Sequence, residues 1–107
     1  SHWVSLFCDF DKDNIYYFDS YGYNETKEVK TFVKRLQEQG KKINKDIKFN
    51  INKNRHQYKN SECGVYSINF IERLLRNDPF SDISNNIVKD DEMFENRDRY
   101  FINKNNV

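Results

Sequence analysis

The segment from Cys63 to Arg76 constrains the fold of this chain more than any other. Its apolar residues lie at helical spacing but on most sides of the helix instead of along one stripe. They are Val65, Tyr66, Ile68, Phe70, Ile71, Leu74 and Leu75. The sequence Asn-Asp-Pro at 77–79 ends the helix, because proline cannot continue it. A helix of this kind must be covered by the rest of the chain, so we expect it to be buried and central.

The composition limits what the chain can bind. Its 107 residues are 36% hydrophobic, enough for one core but too few for two domains. The 18 basic and 17 acidic residues leave a formal net charge of +1, so no strong field is available to hold a nucleic acid or an anionic membrane. Two cysteines do not make a disulfide framework, and no long apolar stretch is present. These features favour a soluble protein of a reducing compartment.

Two β-favouring runs near the start of the chain predict an antiparallel hairpin. The run HWVSLFCDF, residues 2–10, has apolar side chains on both faces, as in a central strand that is covered on both sides. The cluster DKDN, residues 11–14, favours a turn. The run IYYFD, residues 15–19, has the composition of a second strand.

The remaining elements alternate between helix and strand. Apolar spacing predicts an amphipathic helix from Asn24 to Gln39, with Asn24 as the N-cap and Gly40 as the stop. Residues 47–51 alternate apolar and polar side chains, as in a half-buried strand. Residues 90–101 are expected to form a charged surface helix.

Cys63 would lie in the first turn of the buried helix. There the positive end of the helix dipole and the free N–H donors favour thiolate over thiol. Gly64 has no Cβ, so a substrate backbone could approach closely. The alternative is an inert core cysteine, since free cysteine is among the most buried residue types. We expect Cys8 to be an inert core cysteine of this kind. For Cys63, position alone leaves both interpretations open.

A nucleophilic cysteine needs an imidazole as its base and a third group that orients the imidazole. His2 begins the first strand and Asp19 ends the second, so a hairpin brings them towards the same end of the sheet. If the turn is centred near Lys12, Asp19 lies within diagonal reach of His2, whereas a later centre would require a bulge or a slip. His56 is the competing base, but it lies in the polar loop 52–60 without a carboxylate at a comparable position.

Acyl transfer also needs N–H donors aimed at the developing oxyanion. Gln57 precedes Cys63 by six residues, on the loop that leads into the helix, and could supply its side-chain amide beside the backbone N–H of Cys63. Loss of one such donor typically costs about 3 kcal/mol of transition-state stabilisation. A single loop glutamine is more often simply solvated, so this assignment depends on the other residues.

Four residues and their neighbours resemble the pattern of a known family. They are His2 before Trp3, Asp19 before Ser20, Gln57, and Cys63 within NSECGV. Their order and their gaps of 17, 38 and 6 residues are similar to those of the ubiquitin-like-protein-specific (SUMO protease) cysteine peptidases and their relatives in adenoviruses and large DNA viruses. Glu62 stands where SUMO proteases usually carry Asp. This difference and the Asn- and Lys-rich composition both favour the branch of large DNA viruses.

The resemblance implies a role for each residue. The catalytic set would be Cys63 as nucleophile, His2 as general base and acid, Asp19 as its orienter and Gln57 as oxyanion donor. The predicted substrate-binding residues are Trp3, Glu62 and Gly64. Trp3 would line a narrow channel that admits a thin, glycine-rich substrate segment.

The resemblance also implies a fold. We expect an α+β, papain-like cysteine protease core, with an antiparallel or mixed sheet packed on the central buried helix that carries Cys63. Catalytic domains of the family are roughly twice as long as this chain, so residues 1–107 are expected to form one unit, the C-terminal portion of a larger catalytic domain.

The expected function is therefore that of a cysteine endopeptidase that cleaves peptide or isopeptide bonds after small residues. Its protein substrate would be a viral polyprotein or a conjugate of a ubiquitin-like modifier. We expect a monomer that needs no membrane, with nucleic acid only as an activator, in the cytoplasm or nucleus of a host cell or packaged in a virion. The alternatives are an acetyltransferase of the same clan and an inactive module that binds ubiquitin-like tails.

No cofactor or metal is expected. Asp9, Asp11 and Asp13 have the spacing of a calcium loop. Asn14 stands where such a loop needs glycine, however, and Ser20 stands where it needs glutamate. We therefore expect a solvated turn there.

Overall fold

The structure is a computed structural model that describes residues 2–100. Three strands and four helices lie in this range. In chain order they are β1 (Ser5–Asp9), β2 (Asn14–Phe18), α1 (Lys27–Lys41), β3 (Lys48–Ile51), α2 (Cys63–Leu75), α3 (Phe80–Asn85) and α4 (Asp90–Tyr100). No helix within residues 2–100 has the length and apolar character needed to span a bilayer.

The strands form one mixed sheet in the order β1-β2-β3. The hairpin of β1 and β2 is antiparallel, from the pair Ser5–Phe18 to the pair Asp9–Asn14. The connection through α1 returns the chain so that β3 pairs with β2 in parallel. Among the described strands β2 is therefore central and β1 lies at an edge, so the expectation of a central first strand is wrong. Apolar residues on both faces of a strand indicate that helices cover both faces of the sheet. They do not indicate how many strands pair with that strand.

The two faces of the sheet pack against different helices. On one face a cluster around Ile15, Val33 and Ile47 joins β2 to α1, with Leu6 and Cys8 of β1 packed against it. The other face packs against α2, in a cluster of buried residues with flanking side chains from β1 and β2. Its buried members are Phe18, Val65, Tyr66, Phe70, Ile83 and Met93. The predicted burial of α2 against the sheet is thus confirmed. This packing holds the start of α2 against the end of β2.

Helix α1 begins and ends later than its pattern predicts. Thr26 is the N-cap instead of Asn24, because its hydroxyl accepts a hydrogen bond from the Val29 N–H at 3.3 Å. The helix also continues through Gly40 to Lys41. Gly40 packs closely against Ile47, since a Cβ at Gly40 would lie 2.8 Å from Cδ1 of Ile47 and would require that side chain to shift.

The C-terminal helices cover the far side of α2. Helix α4 is present as predicted, and Met93 is its buried residue, while Phe94 remains 62% exposed. Phe101, the last apolar residue expected in this helix, lies outside the described residues. The hydroxyl of Tyr66 on α2 donates to the Val88 carbonyl at 2.7 Å, which fixes the segment leading into α4.

Candidate active site

Cys63 is the first residue of α2 and is 8% exposed. The backbone N–H of Trp3 donates to its sulfur at 3.5 Å. Glu62, at the N-cap, makes no side-chain hydrogen bond to the first turn, and no acidic residue lies within that turn. The backbone N–H groups of the first turn are therefore open to an anion beside the sulfur.

His2 and Asp19 are in direct contact. The distance from Nε2 of His2 to Oδ1 of Asp19 is 2.6 Å, with the Asp19 side chain 4% exposed and the His2 side chain 29% exposed. Asp9 pairs with Asn14, so the turn is centred between residues 11 and 12. Continuing that register beyond Ser5–Phe18 places His2 opposite residue 21, with Asp19 at a diagonal position.

The Asp19 carboxylate and backbone are fixed by neighbours. Asn52, directly after β3, accepts from the Asp19 N–H at 2.9 Å and donates to the Asp19 carbonyl at 2.7 Å. The backbone N–H of Tyr21 donates at 2.8 Å to the same oxygen that contacts His2. The carboxylate is thus held in one orientation towards the imidazole.

Gln57 is fully buried in the loop before α2. Its side-chain oxygen accepts from the Ser20 hydroxyl at 2.6 Å, and its amide donates to the Lys59 carbonyl at 2.5 Å. An amide group has two N–H donors. The second N–H has no hydrogen bond within residues 2–100, so it is the group that could face an oxyanion at Cys63.

Trp3 lines two cavities near Cys63. One, of about 270 Å³, is lined by Cys63, Gly64 and Asn60, together with Trp3 itself. The other, of about 370 Å³, is largely apolar and lies between Trp3, Gly64 and Ile68. A Cβ added at Gly64 would meet only Cδ1 of Trp3, at 3.9 Å, so glycine leaves the space between them open.

Glu62 is not directed into these cavities. It is 3% exposed, and its carboxylate pairs with Nη1 of Arg97 on α4 at 3.3 Å. Arg97 itself lines the cavity that contains Cys63. Glu62 therefore contacts a residue that lines this cavity without lining the cavity itself.

His56 and Cys8 lie apart from this arrangement. His56 is 2% exposed, its Nε2 lies 3.0 Å from the Ser84 carbonyl, and its Nδ1 accepts from the Val88 N–H at 3.3 Å. Burial lowers the pKa of His56, so the imidazole is held neutral as a structural group. Cys8 packs against the α1 cluster, and burial raises the pKa of its thiol.

Sequence reasoning missed the supporting residues Asn52, Tyr21 and Arg97. Asn52 follows a strand as one more polar loop residue, and its partner lies 33 positions away. Arg97 lies 35 positions from Glu62 in a helix rich in charges. No local pattern marks Asn52 or Arg97, because their partners lie far away in the sequence, and Tyr21 stands among other aromatic residues such as Tyr23.

A cysteine at the start of a buried helix, opposite a sheet that carries a contacting His and Asp, is the arrangement of the papain-like thiol peptidases. The chain belongs to the Ulp1 protease family: the family model described as "Ulp1 protease family, C-terminal catalytic domain" matches residues 1–107. The resemblance stated from the sequence is thus confirmed.

The relatives found are viral. A protein of Acanthamoeba polyphaga mimivirus that is named as a thiol protease is 40% identical over 105 residues, which cover 97% of this chain and 35% of the relative. A protein of African swine fever virus named as a SUMO-1 cysteine protease is 32% identical over 103 residues, covering 94% of this chain and 38% of the relative.

The fold agrees with a solved structure. A crystal structure of the pS273R protease of African swine fever virus superimposes with a TM-score of 0.83 and 33% identity, over 91% of this chain and 38% of that one. The predicted α+β, papain-like class is therefore confirmed. The chain spans little more than a third of the length of these relatives, at 35% and 38%.

Proposed function

We propose that the chain carries the catalytic residues of a cysteine endopeptidase, with Cys63 as the nucleophile and His2 and Asp19 as the base and its orienter. It would act as the C-terminal part of a larger catalytic domain, in line with the share of its relatives that it spans. The observation that carries the proposal is the 2.6 Å contact between His2 and Asp19, at the position where the Trp3 N–H reaches the Cys63 sulfur.

The first half of the reaction forms an acyl-enzyme. Asp19 accepts the Nε2–H of His2, which leaves Nδ1 as the nitrogen that takes the thiol proton of Cys63. The thiolate attacks the substrate carbonyl carbon, and the N–H groups of Cys63 and Gln57 stabilise the oxyanion. The C–N bond then breaks, and His2 returns its proton to the leaving amine.

The second half releases the product. A water gives one proton to His2 and attacks the thioester carbonyl, and the second tetrahedral intermediate collapses with cleavage of the C–S bond. His2 returns the proton to the Cys63 sulfur. A carboxylic acid leaves, and the thiol and neutral imidazole are restored without any cofactor.

The surroundings of Cys63 favour a substrate with small residues at the scissile bond. Gly64 and Trp3 leave a gap that a single Cβ would already narrow, and the cavities on either side of Trp3 have room for flanking residues. We propose cleavage after a Gly-rich segment of a protein substrate by a monomeric enzyme. The substrate classes are viral polyproteins and conjugates of ubiquitin-like modifiers. The name of the African swine fever virus relative, a SUMO-1 cysteine protease, supports the second class.

Hydrolysis of a coumarin amide of a Gly-Gly peptide tests the proposal, with a Leu-Leu peptide as the matched control. We expect turnover of the Gly-Gly peptide only, complete loss with Cys63→Ser, and retention with Cys8→Ser. His2→Ala should lower the rate by about 10² to 10⁴. Turnover that survives Cys63→Ser, or transfer of acetyl from acetyl-CoA without any cleavage, would contradict the peptidase proposal.

A further inference from the structure

The orientation of the His2 ring is under-determined by its contact with Asp19. His2 precedes β1 and lies in neither a strand nor a helix. A single hydrogen bond fixes the position of Nε2, but it leaves the ring free to turn about the line that joins the two atoms. A base must keep its other nitrogen on the nucleophile, so another contact has to fix the plane of the ring.

Tyr21 supplies that contact. Its ring stacks on the His2 imidazole, with 4.5 Å between centroids and 23° between the planes. Its backbone N–H also binds the Asp19 oxygen that contacts His2, at 2.8 Å. Tyr21 thus contacts both members of the pair. Its ring stacks on the His2 imidazole, and its backbone N–H binds the Asp19 carboxylate.

Arg55 in turn holds Tyr21. Its guanidinium carbon lies 5.2 Å from the Tyr21 ring centroid and 4.6 Å from the centroid of Tyr58. Its Nε donates to the Gln57 carbonyl at 2.7 Å. Arg55 therefore links the ring that covers His2 to the backbone of the proposed oxyanion donor.

The backbone beneath this stack is tightly packed. Gly22 has a φ of +76°, and a Cβ there would lie 3.1 Å from the Arg55 nitrogen. The N–H groups of His56 and Gln57 both donate to the Ser20 carbonyl, at 2.8 and 2.9 Å. Two backbone hydrogen bonds therefore join the turn after β2 to the loop before α2, and they hold the backbone on which Tyr21 lies.

We propose that Tyr21, held by Arg55, is a positioning residue that keeps the His2 imidazole in the plane required to accept the Cys63 proton. The inference rests on the proposed function, because it gives His2 the role of base. Tyr21 makes no bond to substrate and takes part in no proton transfer. Its contribution is geometric, and it comes from the ring and the backbone. The Tyr21 hydroxyl donates a long hydrogen bond, of 3.4 Å, to the Lys59 carbonyl.

Alkylation of Cys63 by iodoacetamide tests this role, with the rate at Cys63 followed by peptide mass spectrometry. Tyr21→Leu should slow alkylation about three- to tenfold, because the stacking contact is lost. Tyr21→Phe keeps the ring and should stay within about twofold of the parent. Tyr23→Leu is the matched control. The centroid of the Tyr23 ring lies 5.7 Å from that of Tyr21, but the Tyr23 ring does not stack on His2.

Imidazole NMR gives a second readout that a purely structural role would not move. The chain has two histidines, so the His56 signals report the fold while the His2 signals report the site. We expect Tyr21→Leu to shift and broaden the His2 signals and to leave those of His56 in place. Arg55→Ala should act in the same direction, and Arg35→Ala, an exposed position on α1, should change nothing.

The outcomes separate the two proposals. Tyr21→Leu with intact His56 signals and a parental alkylation rate, while His2→Ala is slow, would overturn the positioning role alone. His2→Ala that reacts as fast as the parent would overturn the proposed function and the positioning role with it. Loss of the His56 signals in Tyr21→Leu would show a structural role and would also overturn the inference.

Discussion

The two cysteines show how much surroundings decide the chemistry of one side chain. Cys8 lies within β1, where burial raises the pKa of its thiol. Cys63 is more deeply buried than the partly buried Cys8, but a backbone N–H points at its sulfur and the first turn of a helix begins beside it. Because these donors stabilise an anion, we expect only Cys63 to act as a nucleophile.

We expect the absence of a side chain at Gly64 to matter more for substrate binding than for the stability of the fold. A Cβ at this position meets Trp3 at an ordinary van der Waals distance of 3.9 Å, so Gly64→Ala should raise the free energy of unfolding, by about 0.5 kcal/mol from helix propensity. Gly64→Leu should fill the gap beside Trp3 and lower Gly-Gly peptide cleavage at least about tenfold. Urea unfolding and peptide hydrolysis measure the two effects. A Leu variant that cleaves at the parental rate would argue against a channel there.

His56 should make the stability of the chain depend on pH. Burial lowers its pKa below the ordinary 6.5, so the unfolded chain binds the proton first as the pH falls. The contribution of neutral His56 is therefore complete above 6.5 and is lost as the pH falls through the window below that value. Urea unfolding of the parent and of His56→Gln should show a difference in free energy that shrinks towards acid pH. A difference that stays constant would contradict a buried neutral imidazole.

At the scale of elements, α2 is held in place from two sides. The sheet packs on one side through Phe18, and α4 covers the other through Met93. The polar contacts between α2 and α4 involve Glu72, whose pKa is lowered by the hydrogen bond from the Tyr100 hydroxyl and by Arg99. Because the start of α2 carries Cys63, the proposed nucleophile, the packing of α4 affects the candidate site.

Met93→Ala should therefore loosen α4. Met93 is 1% exposed, and removal of its side chain should cost about 2 to 5 kcal/mol of the free energy of unfolding. Phe94→Ala is the matched control on the same helix, since that ring is 62% exposed and its loss should cost within about 0.5 kcal/mol. Equal effects of the two substitutions in urea unfolding would show that α4 does not pack as described.

The elements differ in how far the sequence predicts them. The apolar periodicity of α2 and the β1–β2 hairpin each arise from adjacent residues, so local patterns suffice. The pairing of β3 with β2 and the end of α1 beyond Gly40 depend on contacts across the fold, and periodicity does not contain them. Helix α3 (Phe80–Asn85) has only 6 residues after Pro79 and is too short to show a period.

At the scale of the whole molecule, the site is assembled from three separate parts of the chain. The hairpin brings His2 to Asp19, the loop before α2 brings Gln57, and α2 brings Cys63. The order and spacing of these four residues could be recognised in the sequence. Tyr21, Arg55 and Asn52 could not, because each acts through a partner that only the folded chain brings near.

The central claim is that Cys63, His2 and Asp19 form one reactive unit. Competitive alkylation of the 107-residue chain with limiting iodoacetamide tests it most directly, with Cys8 as the internal reference. We expect Cys63 to react at least about tenfold faster than Cys8, and His2→Ala and Asp19→Ala to remove that advantage. Equal labelling of the two cysteines in the parent chain, or selectivity that survives His2→Ala, would contradict the account.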